Sequence, residues 1–242
     1  MESLLVTNDY ASLSEAEGLR VVYDKTTDLV WIEMPQPLCR FVDLGLPSGR
    51  KWASCNVGAE KPEDFGLYFA WGETQGYSGI TSDKGFYWGD YKYSSGQTSS
   101  TSTSFKGVTK YNSNSSSGTV DNLTVLEQVD DAAYTSDKTC RMPTKADFEE
   151  LTANTTSVWE TLNGVNGRRF TSKTNGNSIF VPAASKCDNG SADYVGSDGY
   201  LWSSSLYESI PVYGWFLFFY SDYVSVNYDY VRCSGFTVRA VL

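Results

Sequence analysis

The side chains in this sequence with the chemistry to act are carboxylates, thiols and phenols, and each class has its own demands. Asp130 and Asp131 are adjacent, and Glu208 has aspartates nearby; such oxygen donors can ligate calcium. Their commoner role is a solvated acidic face or a helix cap, and the expectation is no metal and no cofactor. Glu73, within Trp71-Gly72-Glu73, has the acid that glycoside cleavage needs, but spacing identifies no second carboxylate to work with it. Histidine is absent. Ser-His-Asp and Cys-His catalysis, the commonest general base and the commonest metal ligand go with it. The five cysteines, Cys39, Cys55, Cys140, Cys187 and Cys233, are widely spaced with no Cys-x-x-Cys pair, so they signal neither a disulfide framework nor a zinc site. They are expected to be reduced, unbridged and mostly buried as small hydrophobes. Catalytic residues: none; the chain reads as non-enzymatic.

What remains is binding. In Trp215-Phe216-Leu217-Phe218-Phe219-Tyr220, strand alternation sets Trp215, Leu217 and Phe219 on one face and Phe216, Phe218 and Tyr220 on the other. The first set is expected in the core with Trp202, Val224, Val226, Phe236 and Val238. The second, with Tyr223, Tyr228 and Tyr230, makes an outward aromatic row, the kind of patch that marks an interaction surface. Tyrosine suits such a surface because it offers area and a hydroxyl at little entropic cost. The plain alternative is a strand buried on both faces.

Charge narrows the partners. At −10 net over 242 residues, the chain lacks the clustered cations that nucleic acid or an anionic membrane would require. No run of 18 apolar residues predicts a membrane span, and the first residues lack the basic and apolar halves of a secretory signal.

The elements that must position these residues follow from local pattern. Arg20 to Tyr23 and Leu29 to Ile32 predict a hairpin, and Pro35 and Pro37 close a small N-terminal segment, residues 1–40. A main domain, residues 41–242, begins with a hairpin turning at Pro47-Ser48-Gly49. The Ser, Thr, Gly and Asn content of residues 94–119 predicts a long surface loop. Thr144 as N-cap and Asp147 as its capping-box partner predict a helix after Pro143, with Phe148 and Leu151 facing a core. Strands are predicted on either side of Asn175-Gly176-Asn177, and the domain as a whole is α+β with few helices.

Several ordered motifs carry a family resemblance: Phe41-Val42-Asp43-Leu44-Gly45-Leu46-Pro47-Ser48-Gly49, Phe69-Ala70-Trp71-Gly72-Glu73-Thr74, Arg141-Met142-Pro143-Thr144, Trp202-Ser203-Ser204-Ser205 and Gly235-Phe236-Thr237-Val238-Arg239. Together they resemble the FISUMP-type major paralogous domain of bacterial surface proteins. Cys140, where relatives often carry Trp, and Ala240, where they carry Pro, depart from that pattern. The resemblance implies a C-type-lectin-like fold, a twisted antiparallel sheet with about two helices and long irregular loops. That fold also hosts formylglycine-generating enzymes, but their C-terminal cysteine pair is reduced here to Cys233 alone.

The C-terminal stretch is similar to the variable region of a diversity-generating retroelement target protein, in which adenines of Asn codons are replaced. The ligand-binding positions so implied are Tyr207, Ile210, Val212, Tyr213, Phe216, Phe218, Tyr220, Asp222, Tyr223, Ser225, Asn227, Tyr228, Asp229, Tyr230, Val231, Cys233 and Ser234. All 17 residues are reachable from an Asn codon by adenine replacement. The resemblance implies a hypervariable, receptor-binding or adhesive protein of a phage particle or cell surface. Its partner would be a host or cell-surface protein or glycan, with no membrane insertion and with oligomers allowed. The alternative is a non-diversified bacterial surface domain of the same family with a structural or adhesive role.

Overall fold

A computed structural model describes residues 20–24, 29–33, 40–96 and 98–242 of the chain. Two compact units divide it, 1–38 and 39–242. In the first, β1 (Arg20–Asp24) and β2 (Leu29–Glu33) form an antiparallel hairpin with Val22 opposite Trp31.

The second unit is α+β. Its central sheet has five strands in the order β13-β12-β11-β14-β5: Tyr223–Val231, Tyr213–Tyr220, Gly199–Leu206, Phe236–Thr237 and Tyr68–Phe69. A second sheet joins β15 (Arg239–Val241), β4 (Lys51–Asn56) and β3 (Phe41–Asp43), with the predicted turn at Pro47 and Ser48. A third runs β6 (Thr155–Leu162), β7 (Val165–Ser172) and β8 (Ser178–Pro182), and β9 (Lys186–Asp188) pairs with β10 (Ser191–Asp193). Two α-helices lie among the described residues, α1 (Ala132–Ser136) and α2 (Lys145–Asn154). None is long and apolar enough to cross a membrane.

Local chemistry explains α2. The Thr144 hydroxyl accepts from the Asp147 amide and the Asp147 carboxylate accepts from the Thr144 amide. Phe148 and Leu151 are buried, as their spacing predicts. Among its described residues the 94–119 segment carries no strand, yet it is pinned: Val108, Tyr111 and Asn112 are buried within it. A composition too polar for its own core still supplies a few residues to the core of its neighbours.

The central sheet is packed on both faces. Trp202, Phe216 and Phe236 join one cluster with Trp71, Trp88 and Tyr111; Leu201, Leu217 and Phe219 join another with Trp52, Phe148 and Phe170. Fully burying side chains of this size contributes about 1.5–3 kcal/mol each. The first cluster overturns one expectation. Phe216, placed outward by alternation, is 3% exposed, because Tyr200, Trp202 and Phe236 cover that face of β12 at centroid distances of 5.6, 6.0 and 5.0 Å. Trp215, expected in the core, is half-buried, edge-on to Tyr207 at 4.8 Å with the Lys145 amine 4.1 Å from its ring.

The cysteine expectation also needs correction. Cys140, Cys187 and Cys233 are free and buried, but Cys55 is disulfide-bonded, with its partner outside the described residues. Spacing along the chain carries no record of which sulfurs the fold brings together.

Candidate functional site

The C-terminal aromatic surface is built by one irregularity in a regular ladder. Tyr220 pairs with Tyr223 and Phe218 with Ser225, which places these four side chains on one face of β12 and β13. Strict alternation would then send Tyr228 and Tyr230 to the opposite face. Instead Phe216 pairs with Tyr228, and the register shifts between Phe216 and Phe218. Val226 and Asn227 together stand opposite Leu217. This bulge inserts one residue into β13 and inverts its parity, so Tyr228 and Tyr230 rejoin the face of Tyr223.

The rings that meet there form a continuous set. Phe218 lies 5.7 Å from Tyr220, 6.4 Å from Tyr223 and 5.3 Å from Tyr228; Tyr220 stacks on Tyr223 at 5.5 Å, and Tyr228 stands edge-on to Tyr223 at 6.2 Å. Exposure grades along the face. Phe216 is buried and Phe218 half-buried, while Tyr220, Tyr223 and Tyr228 are 38%, 37% and 42% exposed. The hydrogen bond between the Tyr228 and Tyr223 hydroxyls, with repulsion between their charged forms, raises the Tyr228 pKa. Burial, with Asp198 and Tyr230 nearby, raises the phenol of Tyr200, whose ring lies 5.0 Å from Phe218.

Two sets of contacts hold this surface. At the hairpin tip, Arg168 Nη1 donates to the carbonyls of Tyr220, Ser221 and Tyr223 at 2.8, 3.3 and 3.2 Å, and its Nη2 donates to the Ser157 carbonyl at 3.1 Å. At the far end of β13, the Tyr230 hydroxyl donates to Asp188 Oδ2 at 2.7 Å and accepts from Lys186 Nζ at 2.5 Å, while Ser234 Oγ donates to Asp188 Oδ1 at 3.1 Å.

The 17 sequence-derived positions therefore separate. Tyr220, Asp222, Tyr223, Asn227 and Tyr228 are exposed around the tip, with Phe218, Ser225 and Tyr230 half-buried on the same face. Asp229 pairs with Trp215 and belongs to the opposite face. Tyr207 and Tyr213 stack at 6.3 Å beside Trp215, and Ile210 is exposed between them in the chain. Val212, Phe216, Val231, Cys233 and Ser234 are buried and do not reach solvent. The last three precede a closing stretch, Gly235 to Val241, that is buried throughout. Sequence reasoning missed Tyr194, 63% exposed and within electrostatic reach of Tyr200, and Val195 beside it. The Tyr194-Val195-Gly196 turn, with Tyr194 at φ 61°, was the signal available.

The acidic candidates are occupied from within. Asp130 binds Lys92 Nζ at 2.8 Å, and Lys110 Nζ and the Tyr111 hydroxyl at 2.6 Å each. Burial alone would raise its pKa, but these partners together hold it well below the usual carboxylate range. Asp131 caps α1 through the Tyr134 amide and also accepts from the Met142 amide. Glu73 pairs with the buried Lys84 at 2.8 Å, beside an open cavity of about 350 Å³ that also touches Asp83, Asp90 and Lys92. Glu208 is exposed, and its carbonyl accepts from Ser113 Oγ. Among the described residues, no three His, Cys, Asp or Glu side chains gather as metal ligands. No family model, curated protein or solved structure matches the chain.

Proposed function

We propose that this chain is a non-enzymatic ligand-binding protein of C-type-lectin-like type. It presents the β12–β13 tip to a host or cell-surface protein or glycan. One observation carries the reading: three tyrosines, each more than a third exposed, lie against one another and against Phe218 on a single sheet face. Apolar ring area kept in solvent and rimmed by hydroxyls is what an interface needs and a core avoids. The FISUMP-type motifs and the adenine-reachable residues agree with diversification of the tip by a retroelement.

A specific observation favours the second reading, a non-diversified domain of the same family. Five of the implied variable positions are buried, where random replacement would open cavities or bury polar groups. The two readings separate at the nucleotide level. A nearby template repeat that differs only at adenines, confined to codons of exposed positions, supports diversification of the tip; its absence supports a fixed adhesive domain. Binding itself is tested on an array of glycans and purified cell-surface ectodomains, where wild-type signal should vanish on Tyr220→Ser/Tyr223→Ser/Tyr228→Ser.

A further inference from the structure

We infer that Arg168 is the positioning residue of the binding tip, a latch whose hydrogen bonds grip main chain and so leave the tip side chains free to vary as specificity determinants. The inference rests on the display reading above and adds the device that reconciles a fixed hairpin with changeable side chains.

Among the described residues, the four hydrogen bonds of Arg168 all end on carbonyl oxygens: Tyr220, Ser221 and Tyr223 at the tip, and Ser157 in β6. Every residue type offers the same carbonyl, so the grip does not depend on which side chain follows. Arg168 is 8% exposed and sits in β7, paired with Trp159 on one side and Val181 on the other, so it is fixed by a three-stranded sheet outside the 207–234 segment. A planar guanidinium with five donors reaches several acceptors at once, as a lysine cannot.

The tip side chains bear out the division of labour. Among the described residues, no side chain outside the segment hydrogen-bonds the side chain of Tyr220, Asp222, Tyr223, Ser225, Asn227 or Tyr228; their hydrogen bonds are with each other or with the local backbone, and Asp222 adds only a charge–charge attraction to Arg168. Tyr230 and Ser234 differ, since Lys186 and Asp188 hold their side chains directly. Six positions are thus exchangeable and two are committed.

The experiment is amide hydrogen exchange by mass spectrometry on the intact chain, which needs no ligand. Arg168→Met should raise exchange of residues 221–224 by about tenfold or more while peptides of β4 and α2 keep wild-type protection. Arg168→Lys, which keeps the charge and part of the donor set, should fall between. It carries the test if the Met variant does not fold. Tyr220→Ser/Asp222→Asn/Tyr223→Ser, with Arg168 intact, should leave tip exchange within about threefold of wild type. Unchanged tip exchange in the Arg168 variants overturns the latch, as does a side-chain triple that loosens the tip as far as Arg168→Met does. Either result leaves the display reading to its own binding test, whose failure in turn leaves these exchange rates untouched.

Discussion

Phe216 faces Tyr228 across β12 and β13, while Phe218 faces Ser225, so two steps along β12 are matched by three along β13. That mismatch is why tyrosines at both odd and even positions of β13 share one face. Asn227 is exposed in the bulge, and its amide is satisfied by Ser225 Oγ at 3.1 Å.

Deleting Asn227 should close the ladder, with Leu217 opposite Val226 and with Tyr223, Ser225, Tyr228 and Tyr230 all kept on one face. With the Tyr230 contacts to Asp188 and Lys186 and the Val226 packing kept on their native sides, the cost should stay within about 1 kcal/mol. Urea unfolding of the deletion variant measures it; a loss near about 3 kcal/mol would mean that one extra residue does not account for the shift in register.

The same bulge marks the limit of what sequence pattern revealed. Period-two alternation was enough to place Leu217, Phe219, Phe236 and Val238 in the core, and capping chemistry was enough to start α2 at Thr144. Alternation assigns faces but says nothing about what covers them. Phe216 was misread because Tyr200, Trp202 and Phe236 close over it from other strands. Val231, Cys233 and Ser234 were misread for a related reason, since they end β13 and enter the buried closing stretch. Arg168 was unremarkable in sequence, because its partners at the tip are carbonyls more than 50 residues away, at separations of 52, 53 and 55.

Asp130 and Tyr111 should shape the two ends of the pH–stability profile. A carboxyl held below its unfolded value near about 4 stabilises the fold above that pH and loses its contribution as pH falls through the depressed folded value. Tyr111 has the opposite sign. Burial and its hydrogen bond to Asp130 push the phenol up to about 12, so its contribution is whole below about pH 10 and lost as pH climbs from there toward 12. Unfolding free energies of wild type and Asp130→Asn should differ most near neutrality and converge below about pH 4. A gap that stays constant down to strong acid would show that the ionised carboxylate is not the source.

The free thiols should be inert in the native state. Burial pushes Cys140 up to about 11 and Cys187 up to about 12, and raises Cys233 as well. A thiol without access or thiolate character does not attack a disulfide reagent. Peptide mapping after treatment with an aromatic disulfide at pH about 8 should find these three unlabelled when folded and labelled in denaturant. Native labelling of any one would contradict its placement in the core.

The central claim is that the tip tyrosines are there for a partner and not for the fold, and the most direct measurement pairs stability with binding. In denaturant melts, Tyr220→Ser, Tyr223→Ser and Tyr228→Ser should each lie within about 1 kcal/mol of wild type, whereas Phe216→Ala or Phe236→Ala should lose about 3–5 kcal/mol. For the glycan or ectodomain that wild type captures, each tyrosine substitution should weaken binding by about 2 kcal/mol or more, some thirtyfold. Tyrosine variants that bind as wild type does, or that unfold as severely as Phe236→Ala, would contradict the account.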